Sequence, residues 1–153
     1  MDLLRKTMLL VDSSTMHAAG DSCRTADWVM ALTDEDGSPA ASMITASRAE
    51  CPGYIAFCTA AGGNKPKRIK KDPRACVYLF DSETFTGVSL SGEVEIASDR
   101  ATKETMWYDA LGEVFSGPAD ENWCVLIFRP ERYNIFIDNK TIRGEFQGQA
   151  ACE

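Results

Sequence analysis

The stretch from Val88 to Ile96 alternates strictly. Val88, Leu90, Gly92, Val94 and Ile96 fall on one side, Ser89, Ser91, Glu93 and Glu95 on the other. A period of two over that length predicts a strand with one buried and one wet face. Gly92 lies on the inward side, which predicts a bend or a close backbone neighbour there. Other segments extend the theme. Trp28–Thr33 and Ala40–Thr45 flank Asp34-Glu35-Asp36-Gly37, and Asp-Gly is a strong hairpin signal. Arg48–Gly53 reads as a loop, and Tyr54–Thr59 as the next strand. Ala75–Phe80 is a near-continuous apolar run, which predicts burial on both faces. Trp123–Phe128 and Tyr133–Ile137 are two more strands, interrupted by Arg129-Pro130-Glu131-Arg132. Six or seven strands joined by short turns predict a mainly β fold, a small β-barrel with helices. Closure removes the edges that strands this apolar would otherwise expose. The order is not a βαβ alternation and no G-x-G-x-x-G follows a strand, which disfavours a dinucleotide-binding α/β sheet.

Two helices frame the strands. Leu3, Leu4, Met8 and Val11 sit near helical spacing in residues 2–17, and Gly20-Asp21 ends that run. Ser98 or Asp99 can cap a second helix reaching Phe115, with Trp107, Leu111, Val114 and Phe115 as its apolar stripe. The polar stretch 139–153 has no packing pattern and is expected to be a loose tail. The remaining residues, 1–138, form one domain, a size that buries a proper core.

Charge and composition narrow the function. A net charge of −7 argues against nucleic acid or an anionic membrane as partner. No apolar run approaches eighteen residues, so no membrane span is expected. The N-terminus lacks a signal-peptide cleavage pattern, and the expected location is cytoplasmic. Six cysteines show no C-x-x-C spacing, and Cys58, Cys76 and Cys124 read as small core residues within strands. With a single histidine, His17, read as structural, no metal site and no hydrolytic triad are expected.

The chemistry concentrates in residues 54–80. After the strand ending at Thr59 come Ala60-Ala61-Gly62-Gly63, then Asn64, Lys65 and Pro66, and a basic helix stopped by Asp72-Pro73. Glycines permit close backbone approach, and Pro66 fits the first helical position, where its fixed φ and missing N–H cost nothing. A helix start offers unpaired N–H groups and partial positive charge, which suit an anion. Thr59, Lys65, Lys67 and Arg68 add a hydroxyl and three cations. Two readings stand at this point: a phosphate seat, or a solvated basic face on which Lys70 and Lys71 complement the helix C-terminus. The spacing of a nucleotide P-loop is absent.

Three motifs in this order resemble those of the pyridoxamine 5′-phosphate oxidase-like flavoproteins. They are Pro39-Ala40-Ala41-Ser42-Met43-Ile44, Phe57-Cys58-Thr59, and Asn64-Lys65-Pro66-Lys67-Arg68-Ile69 closed by Asp72-Pro73. Leu90-Ser91-Gly92 and the strands around Pro130 also match. The resemblance covers roughly residues 24–138 and extends to a small branch similar to general stress flavoproteins. It implies an FMN-binding split β-barrel that works as a homodimer on a small-molecule redox substrate. It also implies that Ser42, Met43, Ile44 and Thr45 line the flavin and that Cys58 and Thr59 lie beside its phosphate. Asn64, Lys65 and Arg68 would hold that phosphate, and Phe136 would take the place of a flavin-side tryptophan. No catalytic acid or base is assigned.

The sequence also departs from the oxidase proper. Ser42 and Ser47 stand where that enzyme has an arginine and a lysine, and its C-terminal arginine and histidine have no counterpart. These departures argue against the vitamin B6 reaction. A non-enzymatic flavin carrier or sensor, and a deazaflavin- or haem-handling relative on the same barrel, stay open. Trp107, Tyr108, Trp123 and Phe136 are more aromatic surface than one small barrel readily hides, which independently points to a homodimer.

Overall fold

The computed structural model describes residues 2–19 and 26–146. Its strands are β1 (Asp27–Thr33), β2 (Pro39–Glu50), β3 (Tyr54–Ala60), β4 (Arg74–Asp81), β5 (Thr86–Ala97), β6 (Trp123–Ile137) and β7 (Lys140–Glu145). They form one antiparallel sheet in the order β3-β2-β1-β4-β5-β6-β7, and β3 also pairs with β6. That pairing closes six strands into a barrel and leaves β7 appended to β6. The helices are α1 (Leu3–Ser13), α2 (Met16–Ala19), α3 (Asn64–Lys71) and α4 (Arg100–Met106).

Alternating side chains fill the barrel. Trp28, Met30, Ile55, Phe57, Val77, Leu90, Leu126, Phe128 and Ile135 are all essentially inaccessible to solvent. Val11 of α1 and Ile69 of α3 are buried against the same interior. Asp2 caps α1 by accepting the Arg5 N–H at 2.8 Å, and the Trp28 indole N–H reaches the Ser14 carbonyl at 3.0 Å. A second cluster lies outside the barrel wall, where Met106, Leu111, Trp107 and Phe115 cover Ala56, Cys58, Val125 and Ile127.

The expected β-barrel with helices is present, and several local expectations change. Arg48–Gly53 is not simply loop. β2 runs to Glu50 through a register shift between Ala46 and Arg48 that turns Ser47 under α4. Tyr78 and Phe80 on β4 are exposed, so that strand is buried on one face only. Cys76 is likewise half-buried on the outer face, with its sulfur 3.3 Å from the Ser89 hydroxyl. β6 passes through Pro130 uninterrupted, because Pro130 lies where the ladder to β5 shifts register and a missing N–H costs least. Asp99 caps α4, but the helix stops at Met106. Trp107 turns extended, its ring packs on Trp123 at 5.6 Å, and the chain resumes as a 3-10 turn, Asp109–Glu113.

The stretch expected to be a loose tail contains β7. Asp138 and Asn139 both take positive φ, as a two-residue hairpin turn requires, and Ile142 and Phe146 pack back on the core. The Gly20-Asp21 helix stop, Cys23, Cys152 and residues 147–153 lie outside the described residues.

Candidate functional site

β2 and β3 share their last rung at Thr45 and Cys58. From there β2 stays paired with β1 as far as Pro39, and β3 with β6 as far as Ala60. Among the described pairings, the β3-side edge of β2 from Pro39 to Ile44 has no strand partner. Its backbone N–H and C=O groups are therefore free to meet a ligand. Ser42 and Met43 are exposed along this edge, whereas the Ile44 side chain points into the barrel core. The Thr45 hydroxyl donates to the Asp27 carboxylate at 3.1 Å.

On the other side of the opening, β3 ends and α3 begins within a few residues. Thr59 is half-buried. The N-cap of α3 is Gly63, which has no side chain to offer, and the first turn holds no acidic residue. The first N–H groups are thus uncapped by side chains, and the helix keeps its positive end. Pro66 and Ile69 are buried and fix the helix on the barrel. Lys65 is half-buried and makes no ion pair among the described residues. Burial, and then the neighbouring Arg68, hold its ammonium below the usual lysine range. A cation placed so, beside uncapped N–H groups, suits an anion.

The residues expected at the site separate into groups. Ser42, Met43, Thr59, Asn64 and Lys65 all belong to the two segments that leave the last shared rung. The Arg68 guanidinium is instead held by Asp34, Nε to Oδ1 at 3.3 Å, which ties α3 to the β1–β2 turn. Cys58 turns its thiol to the second cluster, 3.9 Å from the Met106 carbonyl, and burial pushes it up to about 12. Only the main chain of Ile44 and Cys58 remains near the opening. Phe136 lies on the outer face of β6, beyond the part of that strand that pairs with β3, and stands instead between Gly87 of β5 and Thr141 of β7. There it packs edge-on against Phe85, which packs the same way on Phe80.

Ser47, read from sequence as the replacement of a ligand-facing lysine, is fully buried and donates to the Met106 carbonyl at 2.6 Å. The aromatic argument for a dimer also changes its residues. Trp123 is buried and packs with Trp107 and Phe115 within the chain, and Tyr108 packs on the same cluster. Of the four aromatics only Phe136 is among the large apolar side chains left open, and it is joined by Leu9, Val29, Met43, Tyr78, Phe80, Phe85 and Val114. Sequence alternation signals most of these, since they occupy the opposite parity from the core residues of their strands. Among the described residues there is no cluster of potential metal ligands and no helix long and apolar enough to cross a membrane.

Comparison with known proteins agrees with this fold. The sequence profile of the pyridoxamine 5′-phosphate oxidase family matches residues 26–136, well over half of the chain. No curated protein matches significantly. Among solved structures, a protein of Clostridium acetobutylicum related to general stress protein 26 of B. subtilis superposes with a TM-score of 0.79 at 24% identity, covering 97% of this chain and 99% of that one. A pyridoxamine 5′-phosphate oxidase-related, FMN-binding protein of Nostoc punctiforme gives a TM-score of 0.70 at 12% identity, covering 96% and 98%. A heme-binding protein of Mycobacterium smegmatis gives 0.64 at 18% identity, covering 93% of this chain and 60% of its own. At these identities the likeness is one of fold.

Proposed function

This chain belongs to the pyridoxamine 5′-phosphate oxidase family, and from that premise we propose that it is a cytoplasmic, homodimeric FMN-binding flavoprotein acting as an oxidoreductase on a small molecule. One observation carries the reading: half-buried Lys65, without a carboxylate partner among the described residues, stands at the uncapped start of α3. In this reading Lys65, Asn64, Thr59 and the α3 N–H groups hold the phosphate. The main chain of Ser42–Thr45 meets the edge of the ring system. Arg68 contributes through Asp34, by fixing the helix, more than by direct charge. Bound there, the flavin supplies the redox chemistry, while the chain supplies position and electrostatics.

The exposed apolar outer face supports the homodimer, because it is a coherent patch of the kind that interfaces bury. Phe136 belongs to that patch, so in a dimer it meets the partner and can approach the partner's site. Oxidation of the vitamin B6 phosphate is not part of the proposal, since Ser42 and Ser47 supply no cation and Ser47 is buried. A flavin is preferred to a haem because the chain's one histidine, His17, lies against Tyr108 and not at the opening. The absorption spectrum and mass of the co-purifying small molecule test the cofactor. Reduction by NADH or NADPH with turnover then separates an enzyme from a carrier. A colourless protein with no affinity for added FMN would overturn the proposal.

A further inference from the structure

β2 changes partner along its length. Residues 39–45 pair with β1, and residues 45–50 pair with β3. The handover falls at Thr45, and the register shift between Ala46 and Arg48 lies immediately beyond it. A bulge puts one extra residue into a strand, bends it and adds twist, which lets a strand pass from one neighbour to another. Here the extra residue is Ser47.

The bulge also turns two successive side chains the same way. Ala46 and Ala49 both face the barrel interior, so Ser47 and Arg48 fall together on the outer side, where regular alternation would place only one. Both reach the C-terminal end of α4. The Ser47 hydroxyl donates to the Met106 carbonyl at 2.6 Å, and Arg48 Nε donates to the preceding carbonyl, that of Thr105, at 3.1 Å. The last carbonyls of a helix have no partner within it, so consecutive donors of β2 satisfy consecutive acceptors of α4.

These ties are not equivalent. Arg48 is exposed, as is His17, which hydrogen-bonds the main chain at Met106 and Trp107, and water can replace either. Ser47 is wholly inaccessible to solvent, so its hydroxyl has only protein to bond. The Cys58 thiol, 3.9 Å from the Met106 carbonyl, is a far weaker donor to the same oxygen. The helix end is itself a firm anchor, since Asp99 caps the start of α4 and Met106 is buried. Its hold passes through Ser47 to the bend in β2, and from there to the edge that begins two residues away.

We infer that Ser47 is a positioning residue for the flavin ring: by holding the bulge against α4, it fixes the angle at which the free edge of β2 leaves β3. The inference rests on the reading that the main chain of Ser42–Thr45 meets the ring. It gives Ser47 a role separate from that of Lys65, which bears on the phosphate.

The test compares Ser47→Ala, Ser47→Thr, Lys65→Ala and Ile135→Val in the full chain. FMN and riboflavin are titrated into each, and the amide signals of nitrogen-15-labelled protein are recorded without flavin. Ser47→Ala should weaken both flavins by the same factor, roughly three- to tenfold, as loss of one hydrogen bond implies. It should also shift the amides of Ser42–Thr45 more than those of Asn64 and Lys65. Ser47→Thr keeps the hydroxyl and should keep the affinity, whereas Lys65→Ala should weaken FMN alone. Ile135→Val trims a fully buried side chain between β5 and β7 and should lower stability without changing either affinity. If Ser47→Ala does not fold, Arg48→Gln, at an exposed position of the same bulge, should show the same pattern at smaller amplitude. Affinities and Ser42–Thr45 amides unmoved in these variants would overturn the inference, as would a loss confined to FMN. An equal loss in Ser47→Thr would assign the effect to packing and overturn it too. Should the unsubstituted protein bind neither flavin, the flavin reading fails, and the Ser42–Thr45 amides alone decide whether Ser47 holds the edge.

Discussion

Thr45 stands opposite Cys58 on the last rung that β2 and β3 share, and past that rung each strand keeps only its other neighbour. This parting gives the barrel its opening. β2 brings an unpaired backbone edge to it, and β3 leads through Gly62-Gly63 into a helix whose first turn has no side-chain cap. The features that the opening offers to a ligand are therefore mostly main-chain features.

Gly92 sets the geometry of the opposite wall. A β-carbon there would lie 2.1 Å from the Arg129 carbonyl oxygen and 3.0 Å from the Pro130 α-carbon, both backbone atoms. Gly92→Ala should destabilise the protein by about 2–3 kcal/mol, the cost of forcing atoms into a packed site. Urea unfolding measures it. A midpoint equal to that of the unsubstituted chain would mean the strand crossing at Pro130 is looser than described.

Asp12 ties α1 to the β2–β3 turn by accepting the Cys51 N–H at 2.8 Å. Burial raises its pKa most; the Cys51 N–H opposes this and Glu50 adds to it, leaving the value above the usual aspartate range. The folded state therefore binds this proton more tightly than the unfolded state. The contribution to stability is complete below the unfolded pKa of 3.8 and is lost as pH rises through the folded value. Asp12→Asn keeps an acceptor without the charge and should be at least as stable as the parent at neutral pH. Asp12→Ala leaves the N–H unpaired and should cost about 1 kcal/mol. Equal losses in both variants, measured by urea unfolding, would contradict this.

The outer face predicts a second copy. Met43, Val29 and Tyr78 stand side by side, with Phe80, Phe85 and Phe136 beyond them. Light scattering of the FMN-loaded protein should give twice 16.8 kDa. Met43→Asp with Tyr78→Asp should shift it to one chain, because buried unpaired carboxylates are costly at an interface. A single-chain mass for the unsubstituted protein would remove the dimer from the account.

Much of this architecture can be read from side-chain periodicity. The alternation of Val88–Ile96 becomes β5, the Asp-Gly turn joins β1 to β2, and the Asp72-Pro73 stop ends α3, whose start lies at Asn64, two residues before the expected Pro66. Periodicity is weaker where tertiary contacts decide the conformation. Trp107 leaves the helical path to pack on Trp123, sixteen residues on in sequence, which no local pattern signals. β7 is polar because only its Ile142 side meets the core, and its real marker is the Asp138-Asn139 turn. At the site, the sequence indicates Lys65 and the glycines. It does not reveal that Asp34 engages Arg68 or that Ser47 and Cys58 turn beneath α4.

Lys65 also predicts how flavin binding depends on pH. Burial and Arg68 lower its pKa in the free protein from 10.5, whereas a bound phosphate would raise it. Binding thus favours the protonated lysine, and FMN affinity should fall as pH rises through the free-protein value. Titrations between neutral and alkaline pH should show this fall for FMN and not for riboflavin. An equal fall for both would place the titrating group away from the phosphate.

The central claim, that the start of α3 seats the FMN phosphate, is tested most directly by titrating FMN and riboflavin into the unsubstituted protein, Lys65→Ala and Lys70→Ala. A charge-assisted hydrogen bond contributes roughly 1.5–3 kcal/mol, so Lys65→Ala should weaken FMN binding by about ten- to a hundred-fold. Riboflavin, lacking the phosphate, should bind the three proteins almost equally. Lys70→Ala should change FMN affinity little, since Lys70 is exposed in the last turn of α3. Equal losses of FMN affinity in Lys65→Ala and Lys70→Ala would show a diffuse basic surface and contradict the seat.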